Sequence, residues 1–333
     1  MSTDQAFSDR ILATLKSPGG SDDDQIEAVE NGLRSRETGQ VFPNVDGIPS
    51  LFAVDGKSED IRKRVQDFYE ENPFPSYEGL EEFGELVNKG RMNPFTRDLL
   101  AGIGYNKLVL ECGCGTGQLS HFLQLNNNHV LGIDMTLNSL GLAIDHKRRN
   151  ELARSAFIQM NIFDLAIKDE SFDVVISHGV LHHTADARQA FACVARKAKP
   201  GGLVIIGLYN SYARILTWLR SKLVGVVGNR IDYVVRNRIQ DERKADIWIQ
   251  DQYYNPHETW HSIGEVLGWF EEEGIEFLNC YPRILGSRGE DNMEFCSESD
   301  PGTPYQRAIT QLSWLGTIAR EGSLFNLIGR RKG

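Results

Sequence analysis

From Lys107 onward the chain alternates short apolar runs with stretches patterned as helices: LVLE, HVLGID, AFIQM, FDVVIS, GLVIIGLY, IEFLNCYP and, near the end, SLFNLIGR. Runs that are apolar on successive residues suit strands buried on both faces, and helix-length connections between them build a mainly parallel sheet covered by helices on both sides. The expected fold is α/β, a doubly wound sheet of seven strands. Ligands of such sheets bind outside the carboxyl ends of the strands, so the residues that end each run carry the functional information.

The first run ends in Glu111, and CGCGTGQ follows, placing Gly113, Gly115 and Gly117 just ahead of a helix that starts near Gln118. Glycines let the backbone turn sharply and come close to a ligand. The acid selects which ligand. A dinucleotide brings a pyrophosphate, which Glu111 would repel, whereas S-adenosyl-L-methionine brings an ammonium and a sulfonium, which it attracts. The second run ends in Asp134, placed to accept the ribose hydroxyls, with Met135 against adenine. The third ends at Asn161, whose amide can meet the adenine amino edge beside the Ile162 N–H. Each of these polar groups alone could be a turn cap, but three in register at successive strand ends fit a ligand better. The fourth run ends in His178, the candidate catalytic and cofactor-facing side chain at the methyl, although holding loop backbone by hydrogen bonds is an equal alternative. For His182 and His183, which follow in GVLHH, that second role is the preferred one.

Together ECGCGTG, GID, the polar residue before SFDVVIS, GVLHH and KPGGLVIIG resemble the class I S-adenosylmethionine-dependent methyltransferases of the ubiquinone and menaquinone methyltransferase-like group, over roughly residues 100 to 210. Asn161 stands where such enzymes often carry aspartate. The resemblance implies a Rossmann-like sheet whose last strand returns antiparallel after a helix over Tyr305 to Arg320. It also implies S-adenosyl-L-methionine as cofactor, S-adenosyl-L-homocysteine as product and a small-molecule acceptor. Methyl transfer is an in-line displacement on an already activated carbon, so alignment is the main requirement and a base is optional. Two alternatives are a non-catalytic S-adenosylmethionine-binding module and a methyltransferase acting on tRNA or protein.

Around this domain, assigned to residues 101–333, the sequence suggests two smaller parts. Residues 1–57 read as a polar, mobile lead followed by short strands with turns at TG and DG, and LRSRETGQVFPNVDGIPSLF resembles a zinc-ribbon module, with no cysteine before Cys112 to bind metal. Residues 58–100 read as a helical cap: a helix from Ile61 to Glu71, stopped by Pro73, then Phe74, Pro75 and Tyr77 as either core packing or a flap over the cofactor. An insertion over 210–262 is expected to form a lid. Within it Tyr212, Ile215, Leu216, Leu219 and Leu223 recur at helical spacing, and burial in core or lid is preferred over contact with a membrane. HETWH matches a zinc-peptidase pattern, but Pro256 precedes it and SIGE forms a capping box, so the helix should begin after His261 and no metal is expected. Tyr69, Phe74, Tyr77, His182, Tyr209, Tyr253, His257 and His261 are the candidate acceptor contacts.

A formal net charge of −10 works against a nucleic-acid partner. Five scattered cysteines suit reduced thiols, and neither a membrane-spanning run nor a basic-then-apolar leader is present, so the expectation is a cytoplasmic protein without a membrane partner.

Overall fold

The computed structural model describes residues 7–53, 59–228, 231–239, 241–285 and 294–333. All seven expected strands form: β4 (Leu108–Cys112), β5 (His129–Asp134), β6 (Ser155–Gln159), β7 (Phe172–His178), β8 (Ala198–Tyr209), β9 (Ile275–Tyr281) and β10 (Leu324–Arg331). They make one sheet in the order β6-β5-β4-β7-β8-β10-β9. The pairs from β6 to β8 are parallel, and β10 runs antiparallel to both of its neighbours. The helix before β10 is shorter than expected: α12 spans Pro304–Ser313, and 3-10 turns continue to Arg320.

Both faces of the sheet are dry, which explains the unbroken apolar runs. Along β4, Leu108, Leu110 and Cys112 pack into one layer with Phe191 of α7 (Ala187–Ala195) and Phe270 of α11 (Ile263–Glu272). Val109 points into the other, with Phe122 of α5 (Gln118–Leu123), Leu86 of α3 (Phe83–Met92) and Leu99 of α4 (Pro94–Ile103). Each such side chain contributes roughly 1.5–3 kcal/mol on burial.

The amino-terminal part is a three-stranded antiparallel sheet of β1 (Ile26–Val29), β2 (Gly32–Ser35) and β3 (Val41–Pro43). The DG turn forms as expected, with Asp46 and Gly47 at φ 51° and 80°. The likeness to a zinc ribbon is not supported. Among the described residues no His, Cys, Asp or Glu cluster could hold a metal ion. The segment is fastened instead by the buried Asp24 carboxylate, which accepts from Ser17 N–H at 2.9 Å, from the Ser17 hydroxyl at 2.5 Å and from the Ser35 hydroxyl at 2.8 Å. Burial opposes ionisation there, yet these hydrogen bonds and one from the Glu37 backbone hold its pKa down to about 2.

The polar lead is tied down from Ser8, which caps α1 (Asp9–Leu12); Ile11 and Leu15 enter the main core, and Leu15 bridges to Ile167. Further on, Ser50 adds a parallel bridge to Gln159 along the edge strand β6, with Leu51 N–H to Gln159 O at 3.0 Å and Gln159 N–H to Pro49 O at 2.9 Å.

The insertion folds into α8 (Arg214–Val227), α9 (Tyr233–Asn237) and α10 (Glu242–Tyr253). The apolar stripe expected to be buried is a correction. Ile215, Leu219 and Leu223 are 45%, 47% and 50% exposed, and of the stripe Leu216 alone packs against the core, with Tyr212 partly buried. The reason is that α8 turns Arg214, Thr217 and Val224 inward, because the Arg214 guanidinium finds buried partners described below. Among the described residues no helix is long and apolar enough to cross a membrane.

Candidate active site

The carboxyl ends of β4, β5, β6 and β7 open onto a cavity of about 700 Å³, lined also by α2 (Glu59–Glu71) and the insertion. The glycine loop sets its floor. Gly113, Gly115 and Gly117 have φ of 76°, 52° and 77°, the left-handed region in which a Cβ is penalised. A Cβ on Gly115 would strike the Phe74 carbonyl, and one on Gly113 the Val180 side chain. Gly117, expected at the cofactor, does not line the cavity. It lets Phe157 and Ala143 pack beneath α5.

Glu111 lies at the cavity, 5% exposed, with its carboxyl held by the Ser120 hydroxyl. Burial raises its pKa to about 8; hydrogen bonds from Ser120 oppose the rise, and the Asp134 charge adds to it. Asp134 organises the loop as well as facing the cavity. Its Oδ2 accepts from Gly115 N–H at 2.8 Å, and its Oδ1 from the Thr136 N–H at 3.0 Å and hydroxyl at 2.7 Å. Burial also pushes this carboxyl up, against those bonds. Met135 and Ile162 line the same cavity, and the Met135 carbonyl is fixed by the Gln66 and Gln159 side-chain amides. Asn161 lines it too, but its amide also caps the local turn, accepting from Phe163 N–H at 3.1 Å and donating to Ala53 O at 3.2 Å.

Phe74 and Pro75 lie against the glycine loop, half-buried, and line the cavity. Thr116 N–H donates to Phe74 O, the Thr116 hydroxyl to Pro75 O, and Gln118 Nε2 to Ser76 O. Tyr77 sits behind this seam, outside the cavity, donating to Thr116 O at 2.7 Å and stacked on His146. The α2 helix is anchored by Glu70, whose carboxylate accepts from the first amides of α6 (Leu137–Arg149).

His178 faces the cavity from the end of β7, stacked on Phe95 with ring centroids 4.5 Å apart. Its Nδ1 lies 2.8 Å from Asn326 Oδ1, so Nδ1 carries the proton and Nε2 keeps its lone pair. Burial lowers its pKa against this bond, and the ring is neutral.

The far end of the cavity is polar and largely comes from the insertion. Tyr69 donates to Asp251 Oδ1 at 2.7 Å, and Gln252 Nε2 donates to Asp251 Oδ2 at 2.8 Å and to Tyr209 Oη at 2.9 Å. Arg214 lies over the Tyr209 ring at 3.8 Å and binds Gln252 Oε1 and the Glu258 carboxylate. Of the candidate acceptor contacts, Tyr69, Phe74 and Tyr209 line the cavity. His182 is buried behind it, stacked on Tyr209. Tyr253 donates to Asp232, His257 bonds Thr184 O, and His261 lies between Thr259 and Glu265. HETWH is non-helical, and α11 starts at Ile263 behind the Ser262 cap, after His261 as its sequence suggested. The sequence reading missed His183, Asp251 and Gln252, all at the cavity. A second histidine beside His182 was the one signal available for them.

Residues 110–206, β4 to β8, match the methyltransferase domain family. The ubiquinone biosynthesis O-methyltransferase of Cronobacter sakazakii is 28% identical over 197 residues, 58% of this chain and 72% of that one. Its namesake in Alkalilimnicola ehrlichii is 34% identical over 131 residues, 38% of this chain and 53% of that one. The structure of Haemonchus contortus phosphoethanolamine N-methyltransferase 2 with S-adenosyl-L-methionine is similar at a TM-score of 0.45 and 15% identity, covering 81% of this chain and 60% of that one. The chain spans about half the length of some of the curated relatives it matches. The matched residues form β4 to β8, the glycine loop and the two cavity carboxylates, so over this stretch the chain is similar to the methyltransferase domain family.

Proposed function

We propose that the protein transfers a methyl group from S-adenosyl-L-methionine to a small-molecule acceptor bound beneath the insertion. The observation that carries this reading is the placement of Glu111 and Asp134 in one cavity beside a loop where a Cβ would collide. Two cavity acids with raised pKa values, Glu111 buried and Asp134 half-buried, call for a cationic, hydroxyl-bearing ligand rather than a phosphate. When bound, S-adenosyl-L-methionine supplies a methyl carbon already activated by its sulfonium. Glu111 would take the ammonium, Asp134 the ribose hydroxyls, and Met135 with Ile162 the adenine faces. Asn161 would lie at the adenine edge.

The rest of the chain aligns and excludes water. The seam between Phe74–Tyr77 and Thr116 shuts one side of the cavity, and the insertion brings the acceptor end over the β7 edge. His178, neutral and with Nε2 unprotonated, stands at that edge as a hydrogen-bond acceptor for the reacting group. The test is calorimetry with S-adenosyl-L-homocysteine. Asp134→Ala should weaken binding at least about tenfold by removing charge-assisted hydrogen bonds, and unchanged affinity would defeat the assignment.

A further inference from the structure

The acceptor end of the cavity carries a buried histidine with one nitrogen unpartnered and a buried carboxylate with no direct ion pair among the described residues. His183 is 5% exposed and lines the cavity. Its Nδ1 lies 2.8 Å from the His257 carbonyl oxygen, which fixes the ring proton there and leaves Nε2 as a lone pair. That Nε2 has no hydrogen-bond partner among the described residues. A buried acceptor left without a donor costs about 1–3 kcal/mol, and a ligand N–H or O–H would recover it.

The second group is Asp251, buried at 6% exposure and also at the cavity. Its oxygens receive neutral donors, Tyr69 Oη at 2.7 Å and Gln252 Nε2 at 2.8 Å, and it forms no ion pair among the described residues. Arg214, whose charge it feels, is held by Glu258. A ligand cation would give this buried carboxylate the direct ion pair that it lacks among the described residues. Its surroundings favour that cation further, since Tyr69 and Trp248 bring aromatic side chains to the same cavity.

We propose that the methyl acceptor is an amine that enters as its ammonium ion, paired with Asp251 and the aromatic rings, and that His183 is the catalytic residue accepting its proton. This rests on the methyltransferase reading above. The ammonium N–H gives its proton to His183 Nε2, and the freed nitrogen lone pair forms the new N–C bond. The methyl C–S bond breaks as it does so, with its electron pair remaining on sulfur, and the imidazolium later returns its proton to water. A neutral alcohol of equal size would satisfy Nε2 but leave Asp251 without a counter-charge.

The experiment compares matched probes on the full chain saturated with S-adenosyl-L-homocysteine: 2-phenylethylamine against 2-phenylethanol, and hexylamine against hexanol. Calorimetry should show at least one amine binding about tenfold or more tighter than its alcohol, and Asp251→Asn should abolish that preference while leaving S-adenosyl-L-homocysteine affinity unchanged. If Asp251→Asn does not fold, Tyr69→Phe, which keeps the ring and takes a neutral donor from Asp251, should raise the amine preference, and a lowered preference would overturn the pairing. With S-adenosyl-L-methionine, His183→Gln should lower the rate of amine methylation without weakening amine binding. No amine preference in either pair, or a preference that survives loss of Asp251, overturns the proposal. Failure of S-adenosyl-L-homocysteine itself to bind would refute the cofactor reading separately.

Discussion

Raising the pH from about 6 to about 8 should tighten S-adenosyl-L-homocysteine binding by roughly 50-fold, because Glu111 must lose a proton to meet the ligand's ammonium. In the free protein burial holds the Glu111 carboxyl near a pKa of about 8. If the bound form requires the carboxylate, the apparent Kd exceeds the intrinsic one by a factor of about 100 at pH 6, about 11 at pH 7 and about 2 at pH 8. The slope is close to tenfold per unit on the acid side and flattens above pH 8. Binding at pH 7 should therefore release about 0.9 proton, read directly by calorimetry in two buffers of different ionisation enthalpy. Glu111→Gln should remove most of the slope and the released proton, leaving a residual from Asp134, whose carboxyl is also pushed up by burial. An affinity that is flat between pH 6 and 8, one that weakens with pH, or binding with no proton release would refute this account of the glycine-loop acid.

The same acid makes a stability prediction. Because its folded pKa is raised, its contribution is fully present below about pH 4.5 and is lost as pH rises through about 8, at about 1.4 kcal/mol per unit, so Glu111→Gln should stabilise the ligand-free protein at pH 8 in urea titration. Asp24 has the opposite sign. With a folded pKa near 2, its contribution of about 2 kcal/mol is present above about pH 4 and is lost as pH falls through about 2, and Asp24→Asn should lose it at neutral pH, seen as a lower urea midpoint. Gly115→Ala places a methyl against the Phe74 carbonyl at a left-handed φ, and S-adenosyl-L-homocysteine affinity should fall by at least about tenfold with the fold kept by circular dichroism. Leu110→Ala removes a fully buried side chain from the middle of β4 and should cost about 2–5 kcal/mol by thermal or urea unfolding.

The seven strands could be read because their faces are both dry, so each run is continuously apolar and ends where the backbone leaves the sheet. Glu111, Asp134 and His178 follow from the same rule, being the residues that close those runs. The SIGE capping box located the start of α11 because a cap is a local chemical pattern. The acceptor end was not legible in the same way. Beyond Tyr69 and Tyr209, the residues there, His183, Arg214, Asp251, Gln252 and Glu258, come from separated segments that only the folded chain assembles, with no periodicity to announce them. The α8 stripe misled for a related reason: hydrophobic spacing says which side chains share a face, but a guanidinium with buried partners can claim the inward side. His182, preferred over His183 as an acceptor contact, illustrates how one residue along a turn exchanges a cavity wall for the core.

The strand-like contact of Pro49, Ser50 and Leu51 with β6 has a further bearing on solution behaviour. A sheet margin left bare offers a row of unsatisfied amides and carbonyls to any extended peptide that drifts past, the usual seed of self-association. Here the polypeptide's own early residues occupy that row through Gln159, so a version begun after Phe52 should be prone to pair with its neighbours even where its catalytic half is intact.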